Sequence, residues 1–272
     1  MQQQLKEQYL GFLSTPLLEL KSFGFDYPPY TLNLVDLSTE EIPKPETMVL
    51  GKRMETFFQH FVSRFTEDEL VACNEQIIEE KLTLGEIDFL LKNRMTGTIS
   101  HVELVYKFYL YDESLGDCME EKWIGPNRRD SLVKKLNRMK WRQFPLLFHP
   151  ATRSLLKNLD ISAEEVVQKI CFRANLFLPF LERKKIPEGI QTTAVKGFYL
   201  SANLFTSELF PGAVYFSPKK PDWPVSPEKN QTWYSFSEIK SQIHQMLAAE
   251  QSPLVWMKTA QNEYYRFFVV WW

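Results

Sequence analysis

Residues 84–111 read LGEIDFLLKNRMTGTISHVELVYKFYLY, and the fold is decided there. The second half, Ile99–Tyr111, is dense in β-branched and aromatic residues and predicts a strand. The first half, Leu84–Lys92, opens on a glycine-containing turn, then alternates, and predicts another. The link Asn93–Thr98 is short and polar, so the two strands should form an antiparallel hairpin. Side chains alternate across a strand. Glu86 and Asp88 therefore share one face of their strand. His101, Glu103 and Lys107 share a face of theirs, with Val105 between them. Pairing the strands can bring Asp88 beside Glu103.

Upstream, Met54, Phe57, Phe58 and Phe61 recur at helical spacing and predict a helix from about Leu50, with Glu55 next to its apolar face. Glu75–Glu79 is a weak strand candidate. The first residues, to about Leu20, suit a short helix. Asp26–Pro45, with Pro28, Pro29, Pro43 and Pro45, reads as extended chain wrapping a core. Downstream, the turn-rich Trp123–Asn127 leads to a second helix. Asp130 or Ser131 stands near its start, and Leu132, Val133, Leu136 and Met139 make its apolar face. Gln143–Phe148 reads as a strand. The order is helix, three strands, helix, strand.

Beyond Pro150, Ala163–Cys171 suits either a helix or a strand. Val195–Phe205, Ala213–Ser217 and Tyr264–Trp272 read as strands. Phe236–Glu250 reads as a helix with Ser237 as N-cap. The expected organisation is an N-terminal helix and wrapping segment (1–50), a core (51–150), and a C-terminal α+β extension or small second domain (151–272).

The formal net charge of the 272 residues is −2, so nucleic-acid binding cannot be argued from overall charge. A local basic run does stand out: Arg128, Arg129, Lys134, Lys135, Arg138, Lys140 and Arg142. It suits phosphate contacts and a solvated helix face equally. Cys73, Cys118 and Cys171 are far apart and form no CxxC pair, which argues against a disulfide framework or a structural zinc site. No basic-then-apolar leader and no bilayer-length apolar run is visible, which predicts a cytoplasmic protein with no membrane partner. No Ser-His-Asp order or glycine-rich phosphate loop can be recognised.

Asp88 and Glu103 carry the chemical argument. Neighbouring carboxylates repel, and burial makes their charges costly. A divalent ion is one remedy, and magnesium needs only one or two carboxylates besides its waters. Such an ion polarises a phosphate oxygen and acidifies a bound water. A nearby lysine orients that water or stabilises charge on the phosphorus. Taken alone, a Glu–Lys pair on a strand is more often a surface pair of little energetic weight.

Four segments appear in order: Gly51–Glu55 (GKRME), Thr83–Leu90 (TLGEIDFL), His101–Leu110 (HVELVYKFYL) and Trp123–Asn127 (WIGPN). Together they resemble an uncharacterised bacterial domain-of-unknown-function family that is itself similar to the PD-(D/E)XK nuclease superfamily. The resemblance is strongest from Gly51 to Phe148, with an echo at Lys219–Trp223. It implies an α+β, restriction-endonuclease-like core: a mixed central sheet flanked by helices. It implies a magnesium- or manganese-dependent nuclease acting on DNA or RNA, with Asp88 and Glu103 as metal ligands, Lys107 as the assisting lysine and Glu55 as the acid of the first helix. Arg128, Arg129, Lys134, Lys135 and Arg138 would contact nucleic acid. The superfamily motif has one residue between acid and lysine, whereas Leu104, Val105 and Tyr106 intervene here. A regular strand then sets the two Cα atoms about 13 Å apart instead of about 7 Å. The alternative is a nuclease-fold protein without turnover, serving as a nucleic-acid-binding or protein-interaction module.

Overall fold

The computed structural model describes residues 1–272. After α1 (Gln2–Ser14), the chain runs to α2 (Leu50–Phe65) without a further strand or α-helix, broken by a 3-10 turn at Lys21–Phe23. The α2 face formed by Met54, Phe57, Phe58, Phe61 and Val62 is buried, as its spacing requires. Three strands follow: β1 (Asp68–Glu79), β2 (Leu82–Asn93) and β3 (Ile99–Tyr111). They form an antiparallel meander. The expected hairpin is there, with Phe89 opposite Val102 and Lys92 opposite Ile99. The two-residue β4 (Trp123–Ile124) pairs with the end of β3.

The next helix, α3 (Leu132–Arg138), is capped by Ser131, whose Oγ accepts from the Lys134 amide at 3.3 Å. It continues through a π turn, Met139–Gln143, into the single turn α4 (Phe144–Leu146). Gln143–Phe148, expected as a strand, is therefore helical. Pro145 has no N–H to give to the helix, and its ring crowds the carbonyl four residues back. The widened turn accommodates it. Six residues, mostly apolar, carry too little periodicity to separate strand from helix.

The strand parallel to β3 comes later. After α5 (Arg153–Asn158), β5 (Val167–Pro179) runs beside β3 from Ser100↔Val167 to Leu110↔Phe177. The remaining elements are β6 (Val195–Ser201), β7 (Val214–Phe216), α6 (Phe236–Ala248), β8 (Leu254–Lys258) and β9 (Tyr264–Val270). The result is an α+β fold on one mixed nine-stranded sheet of order β1-β2-β3-β5-β6-β9-β8-β7, with β4 alongside β3. The sheet continues past Pro150 without a break. β8 was not anticipated. The α6 cap is Ser235 and not Ser237: Ser235 and Glu238 form a reciprocal capping box.

Helices cover both faces of the sheet. One side packs Phe12 and α2 against Phe89, Val102 and Phe108. The other packs Leu132, Leu136, Met139 and Phe144 against Val105, Tyr109 and Phe172. β6 joins β5 only from Leu176 to Pro179. The N-terminal chain covers the rest of that edge: Leu18 donates to Phe172 and Tyr30 to Ile170, each at 2.8 Å. Buried Arg173 fastens this wrap. Its guanidinium donates to the carbonyls of Phe12, Leu13 and Thr15 at the end of α1, and to that of Leu32. No helix is long and apolar enough to cross a membrane.

Gly11 tests the packing of α1. A Cβ there would lie 2.3 Å from the Pro224 carbonyl oxygen, which is backbone and cannot rotate away. Gly11→Ala should cost about 1–3 kcal/mol. At Gly51 the same addition meets nothing within 4 Å. Gly51→Ala, also within a helix, should be neutral to stabilising, by at most about 1 kcal/mol. Urea melts of both variants check the contrast.

Candidate active site

The ladder between β2 and β3 runs from Lys92↔Ile99 to Phe89↔Val102 and stops. The next opposed pair would be Asp88 and Glu103. Here the strands part, while β2 stays paired with β1 as far as Leu82. Asp88 itself closes the fork: its Oδ2 accepts the backbone N–H of Leu104 at 3.0 Å. The carboxylate thus replaces a ladder carbonyl and is fixed by the main chain of the strand that carries Glu103.

Both acids are buried, and Glu103 is fully so. Glu103 Oε1 accepts from His101 Nε2 at 3.0 Å, and Oε2 from Gln143 Nε2 at 2.5 Å. Gln168 Nε2 meets His101 Nδ1 at 3.1 Å and also donates to the Phe144 carbonyl. An amide nitrogen only donates, so Nδ1 accepts, and the ring proton sits on Nε2, facing Glu103. His101 is fully buried and orients the acid two residues along its strand.

Lys135, from α3, reaches Glu103 through one bridging side chain. Its Nζ donates to Gln143 Oε1 at 2.9 Å, so the Gln143 amide bridges Lys135 and Glu103. Burial pushes Lys135 below the usual lysine range, against the pull of Glu103 and Asp88, while Lys107 and Arg138 add repulsion. Burial holds Asp88 well above the usual carboxylate range, and the Glu103 charge adds to this. The Leu104 amide and Lys135 oppose it. Perturbed groups of this kind cluster at functional sites.

Glu55 approaches from α2, and its charge also acts on Asp88. Burial raises its own pKa, opposed by Lys52 and reinforced by Glu86. Lys52 Nζ lies 2.6 Å from Glu86 Oε1 and 3.0 Å from Glu55 Oε2. Only the Glu86 contact has hydrogen-bond geometry, so the buried Glu55 Oε2 is left without a donor.

Lys107 does not join the carboxylates. It shares their face of β3, but its Nζ pairs with Asp130 Oδ2 at 2.5 Å. The long spacing from Glu103 is kept, because β3 is regular against β5 throughout. Lys107 instead lines a cleft of about 690 Å³ with Arg129, Asp130, Lys135 and Lys220, floored by Leu104–Phe108. The expected basic surface divides. Arg129 and Lys135 face this cleft. Arg128 is held by Asp112 at 3.6 Å and lies over the Trp272 ring. Lys134 and Arg138 are exposed. Lys52, Gln143 and Lys220 had been given no role. Lys220 lay within the quoted Lys219–Trp223 echo, while Gln143 was hidden by the strand reading.

No group of three or more His, Cys, Asp or Glu side chains forms a ready-made metal cage. The donors present suit an ion that keeps most of its water. Asp88 Oδ1 takes no bond from the protein, and Glu55 Oε2 has the Lys52 ion pair but no hydrogen bond. Carboxylate oxygens of this kind suit hard ions such as magnesium, which keep several waters.

Residues 32–270 match the family model described as "Domain of unknown function (DUF1853)", and the chain belongs to that family. No curated protein and no solved structure matches it.

The raised pKa of Asp88 has a stability consequence. A carboxyl whose folded pKa lies above its unfolded value contributes stability below the unfolded pKa, and that stability is lost as pH rises through the folded one. At neutral pH the raised pKa of Asp88 therefore costs the fold stability relative to acid. Asp88→Asn keeps an oxygen for the Leu104 amide and removes the charge. In the presence of a chelator it should be more stable than the wild type at neutral and alkaline pH, and the difference should shrink towards the ordinary carboxylate range. Urea melts across that span check this. Equal stability at alkaline pH would contradict it.

Proposed function

We propose that this chain is a metal-dependent nuclease of the PD-(D/E)XK type that hydrolyses phosphodiesters in DNA or RNA. One observation carries the reading: Asp88 and Glu103 are buried where β2 and β3 part, and Lys135 is linked to Glu103 through the Gln143 amide. The order α2-β1-β2-β3-α3-β5 supports it, as does the basic cleft beside the fork. Asp88 and Glu103 would hold a magnesium or manganese ion, with Glu55 contributing through water. Such an ion polarises the scissile phosphate and acidifies an attacking water. Lys135, lowered by burial, is placed to hold that water or to stabilise charge on the phosphate. In this reading Lys135 takes the role expected of Lys107, and Lys107, Arg129 and Lys220 guide the backbone.

A second reading is favoured by one feature. Both Glu103 oxygens already have protein donors, His101 and Gln143. A nuclease-fold protein that binds nucleic acid without cutting it would show this arrangement. Its binding would survive chelation and Asp88→Ala.

The test is calorimetry with magnesium and manganese, followed by cleavage of DNA and RNA substrates. Asp88→Ala should lose both metal binding and cleavage. Lys135→Met should keep metal binding while cleavage slows by about 10²–10³-fold. Lys107→Met should cost far less. Full cleavage by Asp88→Ala would end the nuclease reading.

A further inference from the structure

A second polar pocket, of about 270 Å³, lies behind the N-terminal helix. It is enclosed by α1, the strands β5, β6 and β9, and the segment Pro224–Ser226. Three cations line it, Lys196, Lys229 and Arg266, against a single carboxylate, Glu7. Glu7 is already used: Lys229 lies 3.6 Å away, and Gln3 donates to it at 2.8 Å. Lys196 and Arg266 have no acidic partner. Arg266 spends one of its donors on the Val225 carbonyl at 3.3 Å, and Lys196 donates to nothing.

The backbone places these two cations together. β5 and β6 pair as Leu176↔Val195 and then Phe177↔Gly197, so Lys196 is the extra residue of a bulge. A bulge re-aims its side chain, and here Lys196 lines the same pocket as Asn175 and Arg266. Gly197 allows the close approach of β9: a Cβ would fall 2.0 Å from the Arg266 carbonyl oxygen. Several backbone oxygens near the pair are already engaged. Arg173 takes the carbonyls of Phe12, Leu13 and Thr15, and the Ser14 and Thr15 hydroxyls take that of Gly11. Burial and the neighbouring Arg266 push Lys196 below the usual lysine range.

We propose that this pocket binds a small oxyanion of the phosphate class, held by Lys196 and Arg266, with Asn175 and Ser14 lining it. Two unpaired cations at a half-closed cavity are stabilised by such an anion, which accepts from both in charge-assisted bonds. The volume is below the roughly 300–1,000 Å³ of pockets that enclose drug-sized ligands. It suits a phosphate or the phosphate end of an ester, not a whole nucleotide. The site is distinct from the carboxylate fork and does not depend on nuclease activity.

The probes are inorganic phosphate and a nucleoside 5′-monophosphate, added to the full chain without metal at constant ionic strength. The readout is thermal midpoint and calorimetric affinity. Phosphate should raise the midpoint saturably. Lys196→Gln and Arg266→Gln should each weaken binding about ten-fold or more. Lys196 is partly exposed, so its variant folds even if Arg266→Gln does not. Asp88→Ala, Arg129→Gln and Lys220→Gln should bind as the wild type does. Saturation by phosphate alone identifies a free anion, and saturation by the monophosphate identifies an ester-borne one. No response beyond that to sodium chloride, or affinity kept in Lys196→Gln and lost in Arg129→Gln or Lys220→Gln, overturns the proposal.

Discussion

The site depends on one hydrogen bond, from the Leu104 amide to the Asp88 carboxylate. A β-ladder normally gives each strand N–H a backbone carbonyl. At this position a side chain takes the carbonyl's place, and the two strands are free to part beyond it. The parting makes room for Glu55 from one face of the sheet and Lys135 from the other. Without it, Asp88 and Glu103 would be an ordinary cross-strand pair of like charges, which is destabilising.

The surroundings of the two acids are built to tolerate charge, not to maximise stability. His101 and Gln143 satisfy Glu103 completely, and Lys135 offsets part of the negative charge. Asp88 is left with burial and repulsion acting against its ionised form. A core of the same shape with apolar side chains would be expected to fold at least as well.

Much of this was legible in the sequence. β3 was readable to the residue because β-branched and aromatic residues dominate its thirteen positions. The hairpin and the strand parity then placed Asp88 next to Glu103, and the Met54–Phe61 spacing placed α2. The lysine was not legible. Strand parity put Lys107 on the right face, but which lysine reaches the acids depends on how α3 crosses the sheet, and periodicity does not encode that. Lys135 was read as one of a run of helix cations, because burial of a charged group leaves no local mark. The fourth strand of the sheet was misplaced for a related reason. The apolar run at Phe144–Phe148 imitates a strand, whereas Val167–Pro179 lies beyond a boundary drawn at Pro150. Lys196 and Arg266 meet only through a bulge and a parallel pairing of distant segments.

The π turn at Met139–Gln143 also sets an angular phase. Lys135 and Gln143 are eight residues apart, which in a regular α-helix leaves them about 80° out of line around the axis. The π turn absorbs about one residue of rotation, reducing the offset to about 20°. Only then can one amide touch both the lysine and Glu103. The helix therefore acts as a ratchet with a single working tooth. Regularising this turn into α-helix at unchanged length would swing Lys135 about a quarter-turn away from Gln143, without altering any residue that touches the carboxylates, whereas deleting one residue from it would keep the phase.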